Sequence, residues 1–326
     1  MKAIVFHQYG SADVLRLEEI EKPAPKDKEV LLRVRAAALN PLDWRMLKGV
    51  PFIFRKMMKT DTPSTEKGVG IGRDVSGVVE AVGANVTQFK IGDEVFGACE
   101  ASVAEYGCAK ETALALKPES MSFEQAASIP VAGYTALQSL RKGGIHAGQK
   151  VLVNGAAGGV GTFAVQIAKS FGAEVTGVCS GANVEMVRSI GADKVIDYTQ
   201  EDFTQSTERY DLILECVGNK SFPECRPVLS ENGRFIMIGA PHEGSVIKLM
   251  APAIKAVIVS IFTRQKAAML MAKSNPKDLI FMGELFDQGK LTPVIDRTCA
   301  LTETPEAIRY LEADHARGKV VVRVGE

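Results

Sequence analysis

The feature that most constrains this chain is a glycine-rich heptamer, GAAGGVG at residues 155–161, set between two apolar segments. Residues 151–154 before it have the length and apolarity of a short buried strand. After it, the apolar residues between 162 and 171 fall on one face of a helix, and Gly172 is placed to end that helix. The pattern predicts a strand, a tight turn and a helix, which together begin a βαβ unit.

Such a turn is typical of the segment that binds the pyrophosphate of a dinucleotide. Gly158 and Gly159 let the backbone approach the phosphates, and Gly161 permits close packing of the helix against the strand. Ala156 stands where the usual G-x-G-x-x-G pattern has its first glycine. The helix begins near Val160, so its unpaired N–H groups and positive end face the phosphates. The predicted cofactor contacts are Ala156, Ala157, Gly158, Gly159 and Val160, and a purely structural glycine turn is the alternative.

The end of the second strand of this unit distinguishes NAD from NADP. An acidic residue about 20 positions after the turn would bind the ribose 2′-OH of NAD, yet the sequence continues from residue 180 as SGAN. With no carboxylate there to repel a 2′-phosphate, Ser180 and backbone N–H groups can bind one, and such charge-assisted bonds contribute about 1.5–3 kcal/mol each. NADP is therefore the predicted cofactor. Ser180 as an ordinary helix cap is the alternative, and no Lys or Arg occurs at 181–184.

Strand and helix patterns along the chain predict two domains of different character. Short strands separated by turns rich in glycine and proline indicate a compact β-rich domain at the N-terminus. The pattern changes near residue 122, because Ser122 and Gln125 have the spacing of a capping box. From residue 150 strands alternate with helices, which indicates a parallel doubly wound sheet. Strands are predicted at 3–6, 29–38, 75–82, 151–154, 174–179, 194–197, 211–217, 234–239 and 319–324, and helices at 162–171, 183–190 and 279–288.

The charge balance argues against binding through bulk positive charge. The 326 residues include 39 Lys+Arg and 39 Asp+Glu, whereas proteins that wrap nucleic acid have a basic excess. No nucleic-acid partner is therefore expected. The most apolar stretch, residues 246–262, contains Lys248 and Lys255, and each would cost roughly 2.5–3.5 kcal/mol in a bilayer. This stretch is predicted to be a buried segment, and no transmembrane segment is expected.

Cysteine and histidine usage predicts neither a disulfide framework nor a zinc cluster. The six cysteines form no C-x-x-C pair, and the four histidines are isolated from one another and from the cysteines. Near the N-terminus only residues 3–6 form an apolar run, whereas a signal h-region needs about 7–15. We therefore expect a cytoplasmic protein in a reducing compartment.

Residues 148–169, GQKVLVNGAAGGVGTFAVQIAK, resemble the signature of the quinone oxidoreductase (zeta-crystallin) family. The likeness to zinc-independent medium-chain dehydrogenase/reductases extends over nearly the whole chain, including ALNPLD at 38–43, GRDVSGVV at 72–79, GDEV at 92–95, GAD at 191–193 and RGKVV at 317–321. The resemblance implies an α/β fold with a GroES-like β-rich catalytic domain at 1–122, completed by about 265–326, and a Rossmann doubly wound parallel sheet at 123–264. It also implies a homodimer.

The same resemblance argues against a metal. Zinc-type alcohol dehydrogenases of the superfamily are similar to this chain, but they have an early Cys, a His before the acid of a G-H-E motif and four clustered cysteines. Here Arg73 stands before Asp74, and the turn at 40–43 has no cysteine. The region around Cys99 and Cys108 has too few ligands for a tetrahedral site. No zinc is therefore expected.

The resemblance further implies which residues hold the acceptor. In the family the acceptor oxygen lies near the Asn-Pro-x-Asp turn, so Asn40 is the candidate amide donor. Asp43 is either an acid–base or water-positioning group, or a cap for the helix that follows. Trp44 is either a wall of the substrate cleft or part of the core. Arg73 either binds a substrate oxygen or carboxylate, or forms a structural ion pair.

Two features near this turn set the chain apart from its relatives. Relatives often have tyrosines shortly after the Asp, one of them a proposed proton donor, whereas this chain has Arg45 and Pro51 there. Residues 50–67 form a partly apolar insertion, which we predict to be a lid over the cleft. The identity of the proton donor is therefore left open.

Five further residues are predicted by resemblance to contact the cofactor. Thr135 resembles the residue beside the nicotinamide, and Tyr198 resembles one near the adenosine ribose or its phosphate. Val217 and Gly239 lie at the tips of the fourth and fifth strands, where family backbones touch the ribose and the carboxamide. Lys319 either approaches the cofactor or forms an ion pair in the closing strand.

Together these features predict an NADPH-dependent oxidoreductase that transfers a hydride to a quinone or an α,β-unsaturated carbonyl without zinc. Without a metal, catalysis depends on positioning the acceptor carbon and on donors to the developing oxygen charge. A metal-free alcohol or aldehyde dehydrogenase is the alternative enzyme. A non-catalytic NADPH-binding module is the alternative outside the enzymes.

Overall fold

The computed structural model describes residues 1–49, 63–64, 68–238, 256, 258–261, 263–313 and 316–325. Two predicted features, the lid at 50–67 and the apolar segment at 246–262, lie largely outside these residues. Contacts divide the chain into two compact units. The first unit comprises Met1–Ala132, Ser274–Asp287 and Pro293–Glu326, and the second comprises Gly133–Lys273 and Gln288–Thr292.

The secondary structure follows the chain in this order. Strands β1 to β16 span Lys2–Phe6, Arg16–Glu19, Glu29–Leu39, Val69–Gly70, Asp74–Val82, Glu94–Ala98, Tyr106–Lys110, Leu114–Leu116, Lys150–Asn154, Glu174–Cys179, Lys194–Asp197, Tyr210–Glu215, Leu229–Met237, Lys266–Met269, Ile295–Ala300 and Lys319–Arg323. Helices α1 to α8 span Pro41–Leu47, Phe123–Ser128, Pro130–Lys142, Gly159–Ser170, Val184–Ser189, Phe222–Cys225, Pro276–Asp287 and Thr304–Glu312. Short 3-10 turns lie at Ala12–Val14, Glu111–Ala113, Gly181–Asn183, Phe203–Gln205, Arg226–Val228 and Leu301–Glu303.

The first unit is built on a seven-stranded sheet in which β3 is the longest strand. β3 pairs antiparallel with β5, β7 and β16. Its side chains at alternate positions, Val30, Leu32 and Val34, pack in one core with Val75 of β5 and Val320 of β16. Burial of each such side chain contributes about 1.5–3 kcal/mol. A pairing shifted by one residue would turn these side chains away from the core, so their burial favours the observed register.

The closing strand β16 places the C-terminal part of the chain beside the turn that follows β3. Val320 is paired with Leu39, and Val321 with Ala38. Lys319, which precedes Val320, is therefore adjacent to Asn40, which follows Leu39. This register brings two predicted site residues from opposite ends of the sequence together.

The second unit contains a six-stranded sheet in which all neighbouring strands are parallel. The order is β11-β10-β9-β12-β13-β14, so successive strands are added outward from β9, first on one side and then on the other. This confirms the predicted doubly wound sheet. The strand order reverses between β9 and β12, and sheets of this kind bind ligands at the carboxyl ends of the strands at that point.

Several local predictions are confirmed. The Ser122 hydroxyl accepts the N–H of Gln125 at 3.2 Å, and Gln125 Oε1 accepts the N–H of Ser122 at 3.0 Å, which closes the capping box. Gly172 follows α4 with a φ of +80°, as a helix-ending glycine does.

None of the helices that the structure describes has the length and apolarity that a bilayer crossing requires.

Candidate functional site

The glycine turn of the second unit keeps the start of α4 close to the end of β9. Gly155 follows β9 with a φ of +83°, a left-handed conformation that glycine adopts without strain. A Cβ at Gly161 would lie 2.0 Å from the carbonyl oxygen of Gly155 and 2.7 Å from the Cα of Ala156. A side chain at 161 would therefore push the helix away from the turn, which confirms the packing role predicted for Gly161.

The first turn of α4 presents the N–H groups that a bound anion needs. The N–H groups of Gly159, Val160 and Gly161 precede the first intrahelical bond, from Thr162 N–H to Gly158 O at 3.0 Å. Gly158, the cap, has no side chain to occupy them, and the first turn contains no acidic residue. These residues fit the pyrophosphate of a dinucleotide, which a helix N-terminus binds through its N–H donors and its dipole.

The two alanines of the turn are both buried. Ala156 is fully buried and donates its N–H to Val178 O at 3.0 Å, so its backbone donor is committed to β10. Ala157 is 8% exposed. Of the five predicted turn contacts, Ala156 and Gly158 thus have N–H groups that are already bonded within the protein, the latter to Gly155 O at 3.1 Å.

A carboxylate lies at the tip of β10, and this corrects one step of the cofactor argument. A Cβ at Gly181 would lie 2.6 Å from Oδ2 of Asp197, because Asp197 ends β11 and is paired with Cys179 at the end of β10. The acid comes from the neighbouring strand and not from the residues after β10. Ser180 is the cap of a 3-10 turn, and its Oγ accepts from Asn183 Nδ2 at 3.0 Å. Ser180 thus stands at the N-cap position of this turn, but its side chain accepts no capping bond from a backbone N–H.

A buried carboxylate that sequence reasoning missed holds the tip of β12. Glu215 is 1% exposed, and its Oε1 accepts the N–H groups of Val217 at 3.0 Å and Gly218 at 2.8 Å. Its Oε2 accepts from Asn154 Nδ2 at 2.8 Å, across the point where the strand order reverses. Burial raises the pKa of Glu215 despite these donors. The available signal was an acidic residue at the end of an otherwise apolar strand.

The other predicted cofactor contacts of the second unit lie in different environments. Val217 is 41% exposed and Tyr198 is 62% exposed, and the N–H of Tyr198 donates to Cys179 O at 3.0 Å. Thr135 is half-buried within α3. Gly239 lies outside the described residues.

In the first unit, Asn40 and Asp43 begin helix α1. Asn40 is the N-cap, Pro41 is the first helical residue, and Asp43 Oδ2 accepts the N–H of Asn40 at 2.7 Å. Both side chains are 4% exposed. The capping alternative therefore describes the hydrogen bond that Asp43 makes within the protein.

The environment of Asp43 favours its protonated form. Burial raises the pKa of Asp43 from 3.8 to about 6, and the charge of Asp74 acts in the same direction. The hydrogen bond from Asn40 and the positive charges of Lys319 and Arg73 act against this rise. A carboxyl group with such a pKa exchanges a proton near neutral pH.

The raised pKa of Asp43 predicts a pH-dependent contribution to stability. The folded protein binds the Asp43 proton more tightly than the unfolded chain, so this contribution is complete below about pH 4 and is lost as pH rises through about 6. Relative to Asp43→Asn, the wild type is expected to lose about 2–3 kcal/mol of unfolding free energy between pH 4 and 7. Denaturant titrations followed by the fluorescence of Trp44, the single tryptophan, measure this difference for the first unit. Parallel pH profiles of the two proteins would contradict it.

Asn40 belongs to a buried network with Asp74 and Lys319. Lys319 Nζ donates to Asn40 Oδ1 at 2.6 Å and to Asp74 Oδ2 at 2.9 Å. Asn40 Nδ2 donates to the same Asp74 oxygen at 2.9 Å and makes a longer contact, 3.4 Å, with Ala38 O. Asp74 Oδ1 accepts the N–H of Val131 at 2.9 Å. The ion-pair alternative therefore describes Lys319, which is 2% exposed.

The two predicted substrate contacts differ in burial. Trp44 is 4% exposed and packs in the core of the first unit, so the core alternative describes it. Arg73 is half-buried, directly before β5. It lies close enough to Asp43 for its charge to lower the pKa of that acid.

Within the described parts of the chain, no group of three or more His, Cys, Asp or Glu side chains is placed to hold a metal ion. The six cysteines are free thiols. Burial raises the pKa of Cys99 to about 12.

Two family models together cover most of the chain. The model described as "Alcohol dehydrogenase GroES-like domain" matches residues 26–188, and the one described as "Zinc-binding dehydrogenase" matches residues 190–322. A GroES-like unit joined to a Rossmann unit is the fold of nicotinamide-dependent dehydrogenases and reductases. The chain belongs to the medium-chain dehydrogenase/reductase family, as its sequence motifs indicated.

Individual relatives agree with this assignment. The chain is 35% identical to the 2-methylene-furan-3-one reductase of Solanum lycopersicum and 36% identical to the chloroplastic NADPH-dependent alkenal/one oxidoreductase of Arabidopsis thaliana. Each match spans 337 residues, with 99% of this chain and 79% of the relative. Among solved structures, the quinone oxidoreductase of Coxiella burnetii superimposes with a TM-score of 0.87 at 33% identity, covering 100% of this chain and 99% of the other.

Proposed function

We propose that this chain is an NADPH-dependent reductase that transfers a hydride to a quinone or an α,β-unsaturated carbonyl. The observation that carries the proposal is the glycine turn of the second unit, where the first N–H groups of α4 are unoccupied and Gly161 has no room for a side chain. The names of the relatives, two enone reductases and a quinone oxidoreductase, support the acceptor class.

The proposed binding residues divide between the two units. In the second unit, we assign NADPH to the glycine turn, with further contacts from Ser180, Tyr198, Thr135, Val217 and Gly239. In the first unit, we assign the acceptor to the Asn40–Asp43 turn and Arg73. Lys319 and Trp44 are assigned to positioning roles, because they are buried in the ion pair and in the core.

The chain's own residues supply the donor and the acid, and NADPH, when bound, supplies the hydride. Reduction of an enone leaves negative charge on its oxygen. We assign Asn40 as a donor to this oxygen through the Nδ2 hydrogen that makes only the 3.4 Å contact with Ala38 O. Asp43, with its pKa near 6, holds the proton for the α-carbon or orients the water that delivers it. Water then reprotonates Asp43.

Turnover under a chelator tests the proposal. Purified protein is expected to oxidise NADPH with quinones or enones in the presence of a chelator. Asn40→Ala is expected to lower kcat about 100-fold while retaining NADPH binding, and Asn85→Ala, on an exposed asparagine, is the control. Binding without turnover on any acceptor would favour a binding module. Turnover of only alcohols or aldehydes would favour a metal-free alcohol dehydrogenase, and loss of activity with the chelator would contradict zinc independence.

The position of Asp197 leads us to expect that this residue affects the preference between NADPH and NADH. Its carboxylate lies beside Gly181, at the tip where Rossmann sheets bind the adenosine ribose, and its negative charge opposes a 2′-phosphate. Asp197→Asn keeps an oxygen that can accept the N–H of Thr199, so the turn is expected to remain. We expect NADPH to bind about 10-fold more tightly to this variant, an effect of about 1.4 kcal/mol, and NADH binding to change little.

Fluorescence titrations with both cofactors measure this preference. Glu174→Gln, at the start of the neighbouring strand β10, changes the charge equally and is expected to leave the ratio of the two affinities unaltered. An unchanged ratio in Asp197→Asn would show that the carboxylate does not face the phosphate.

The proposal also includes the compartment and the assembly. We propose a cytoplasmic homodimer, on the support of the free cysteines and of the family resemblance. One relative is named as chloroplastic, so fractionation is the direct test of location. Sedimentation equilibrium tests the dimer, and a monomeric mass would contradict it.

A further inference from the structure

Arg73 is held rigidly at its backbone. Gly72 before it has a φ of +92°, and a Cβ there would lie 2.5 Å from Ser102 Oγ, so the chain enters this position in a conformation that suits glycine. The carbonyl oxygen of Arg73 accepts the N–H of Cys99 at 2.8 Å, and Asp74 after it is completely buried. The guanidinium therefore projects from an anchored point of the sheet.

In the described parts of the chain, the guanidinium of Arg73 lacks the carboxylate partner that four of the sequestered lysines have, and it lacks the ring contact that half-buried Arg35 makes with Phe123. Lys117, Lys169, Lys220 and Lys319 are also buried or half-buried, and each has a carboxylate oxygen within 3.0 Å. Across the residues that the structure describes, the Arg73 guanidinium takes part in no ion pair, side-chain hydrogen bond or ring contact. Withdrawing a charge from water is unfavourable unless a partner compensates it.

The neighbouring acids Asp43 and Asp74 form no ion pair with Arg73. Asp74 is paired with Lys319 and Asn40. One oxygen of Asp43 is occupied by the N–H of Asn40, and Asp43 forms no ion pair with Arg73. Arg73 thus retains its full capacity for a bidentate contact with a planar anion, the geometry that guanidinium groups form with carboxylates.

We infer that Arg73 binds a carboxylate of the acceptor, so that the substrates are enones or quinones that carry an anionic group. This inference rests on the proposed function and narrows its substrate class. An acceptor that carries a carboxylate provides the missing partner for a half-buried cation beside the Asn40–Asp43 turn. A neutral acceptor leaves the guanidinium uncompensated.

A matched pair of acceptors tests the inference. In 4-oxopent-2-enoate, a carboxylate replaces one methyl group of pent-3-en-2-one. For the wild type we expect a KM at least about 10-fold lower for the carboxylate. Arg73→Gln is expected to raise the KM for the carboxylate about 10- to 100-fold and to raise the KM for the neutral enone by a much smaller factor. Arg73→Lys is expected to restore part of the affinity, because it keeps the charge without the planar fork.

Arg33→Gln, on an exposed arginine of β3, is the control and is expected to alter neither KM. An equal loss of kcat with both acceptors and unchanged KM values would overturn the inference, since the guanidinium would then act on the developing oxygen charge. Equal KM values for both acceptors in the wild type would overturn it as well.

Calorimetry separates this inference from the proposed reaction. The saturated products 4-oxopentanoate and pentan-2-one can be titrated into the wild type with NADP⁺, without turnover and without a variant. Tighter binding of 4-oxopentanoate supports the anion site, even if no acceptor is reduced, in which case only the proposed reaction fails. Equal binding of the two, together with turnover of neutral enones, overturns the anion site and leaves the reaction standing.

Discussion

Lys319→Met is expected to lower the unfolding free energy of the first unit by about 3–5 kcal/mol, because it leaves the buried carboxylate of Asp74 without its cation. The side chains of Lys319 and Asp74 are 2% and 0% exposed, so solvent cannot replace the lost partner. Denaturant unfolding followed by Trp44 fluorescence reports on the first unit, since this single tryptophan lies in that core.

Arg323→Met is the matched control on the same strand. Arg323 contacts Glu124 at 2.7 Å, but its side chain is 62% exposed, and exposed pairs contribute about 0–1 kcal/mol. Losses of unfolding free energy of similar size in the two variants would show that burial does not determine how much the Lys319–Asp74 pair contributes to stability. Because the charge of Lys319 lowers the pKa of Asp43, Lys319→Met is also expected to raise that pKa further and to strengthen the pH dependence assigned to Asp43.

The second large effect is expected from Gly161→Ala. The new Cβ would lie 2.0 Å from a backbone oxygen, which no side-chain rotation relieves, so α4 must shift relative to β9. We expect a loss of about 3 kcal/mol of stability in the second unit and a loss of NADPH affinity of about 100-fold, because the helix N-terminus is displaced. Circular dichroism melting and fluorescence titration measure these two quantities.

Gly158→Ala is the matched control within the same turn. Its Cβ would lie 3.4 Å from the same Gly155 oxygen, an ordinary contact, and its φ of −82° suits alanine. The stability cost is expected to be about 1 kcal/mol or less. Equal effects of the two substitutions would contradict the packing role of Gly161.

The elements that were predicted well are those whose signals are local. The turn at 155–161, the capping box at Ser122 and Gly172 after α4 each depend on residues within a few positions of one another. The start of β13 was missed. This strand begins at Leu229, whereas the prediction began it at 234. The prediction was wrong because residues 230–233 have the composition of a turn, and because the pairing of this part of the strand with β12 is irregular between Tyr210 and Leu212.

The unpredicted parts of the site come from pairing between distant segments. Asp197 reaches Gly181 only because β11 lies beside β10. Lys319 meets Asn40 across 279 positions because β16 joins β3. The periodicity and spacing of residues do not indicate which distant strands pair or in which register. The sequence therefore could not decide whether Lys319 approaches the cofactor or forms an ion pair. Glu215 was hidden for another reason, since a carboxylate at a strand end is interpreted as solvated unless its buried partners are known.

The pairing of β16 with β3 has a consequence for how the chain matures on the ribosome. The first unit's sheet lacks β16 until residues 319–323 have been synthesised, whereas the strands that the structure describes in the second unit are complete by residue 269. Until then the backbone of residues 36–39 is an unpaired strand edge that can associate with other chains. Residues 36–39 are therefore expected to stay open to association with other chains long after they have been synthesised.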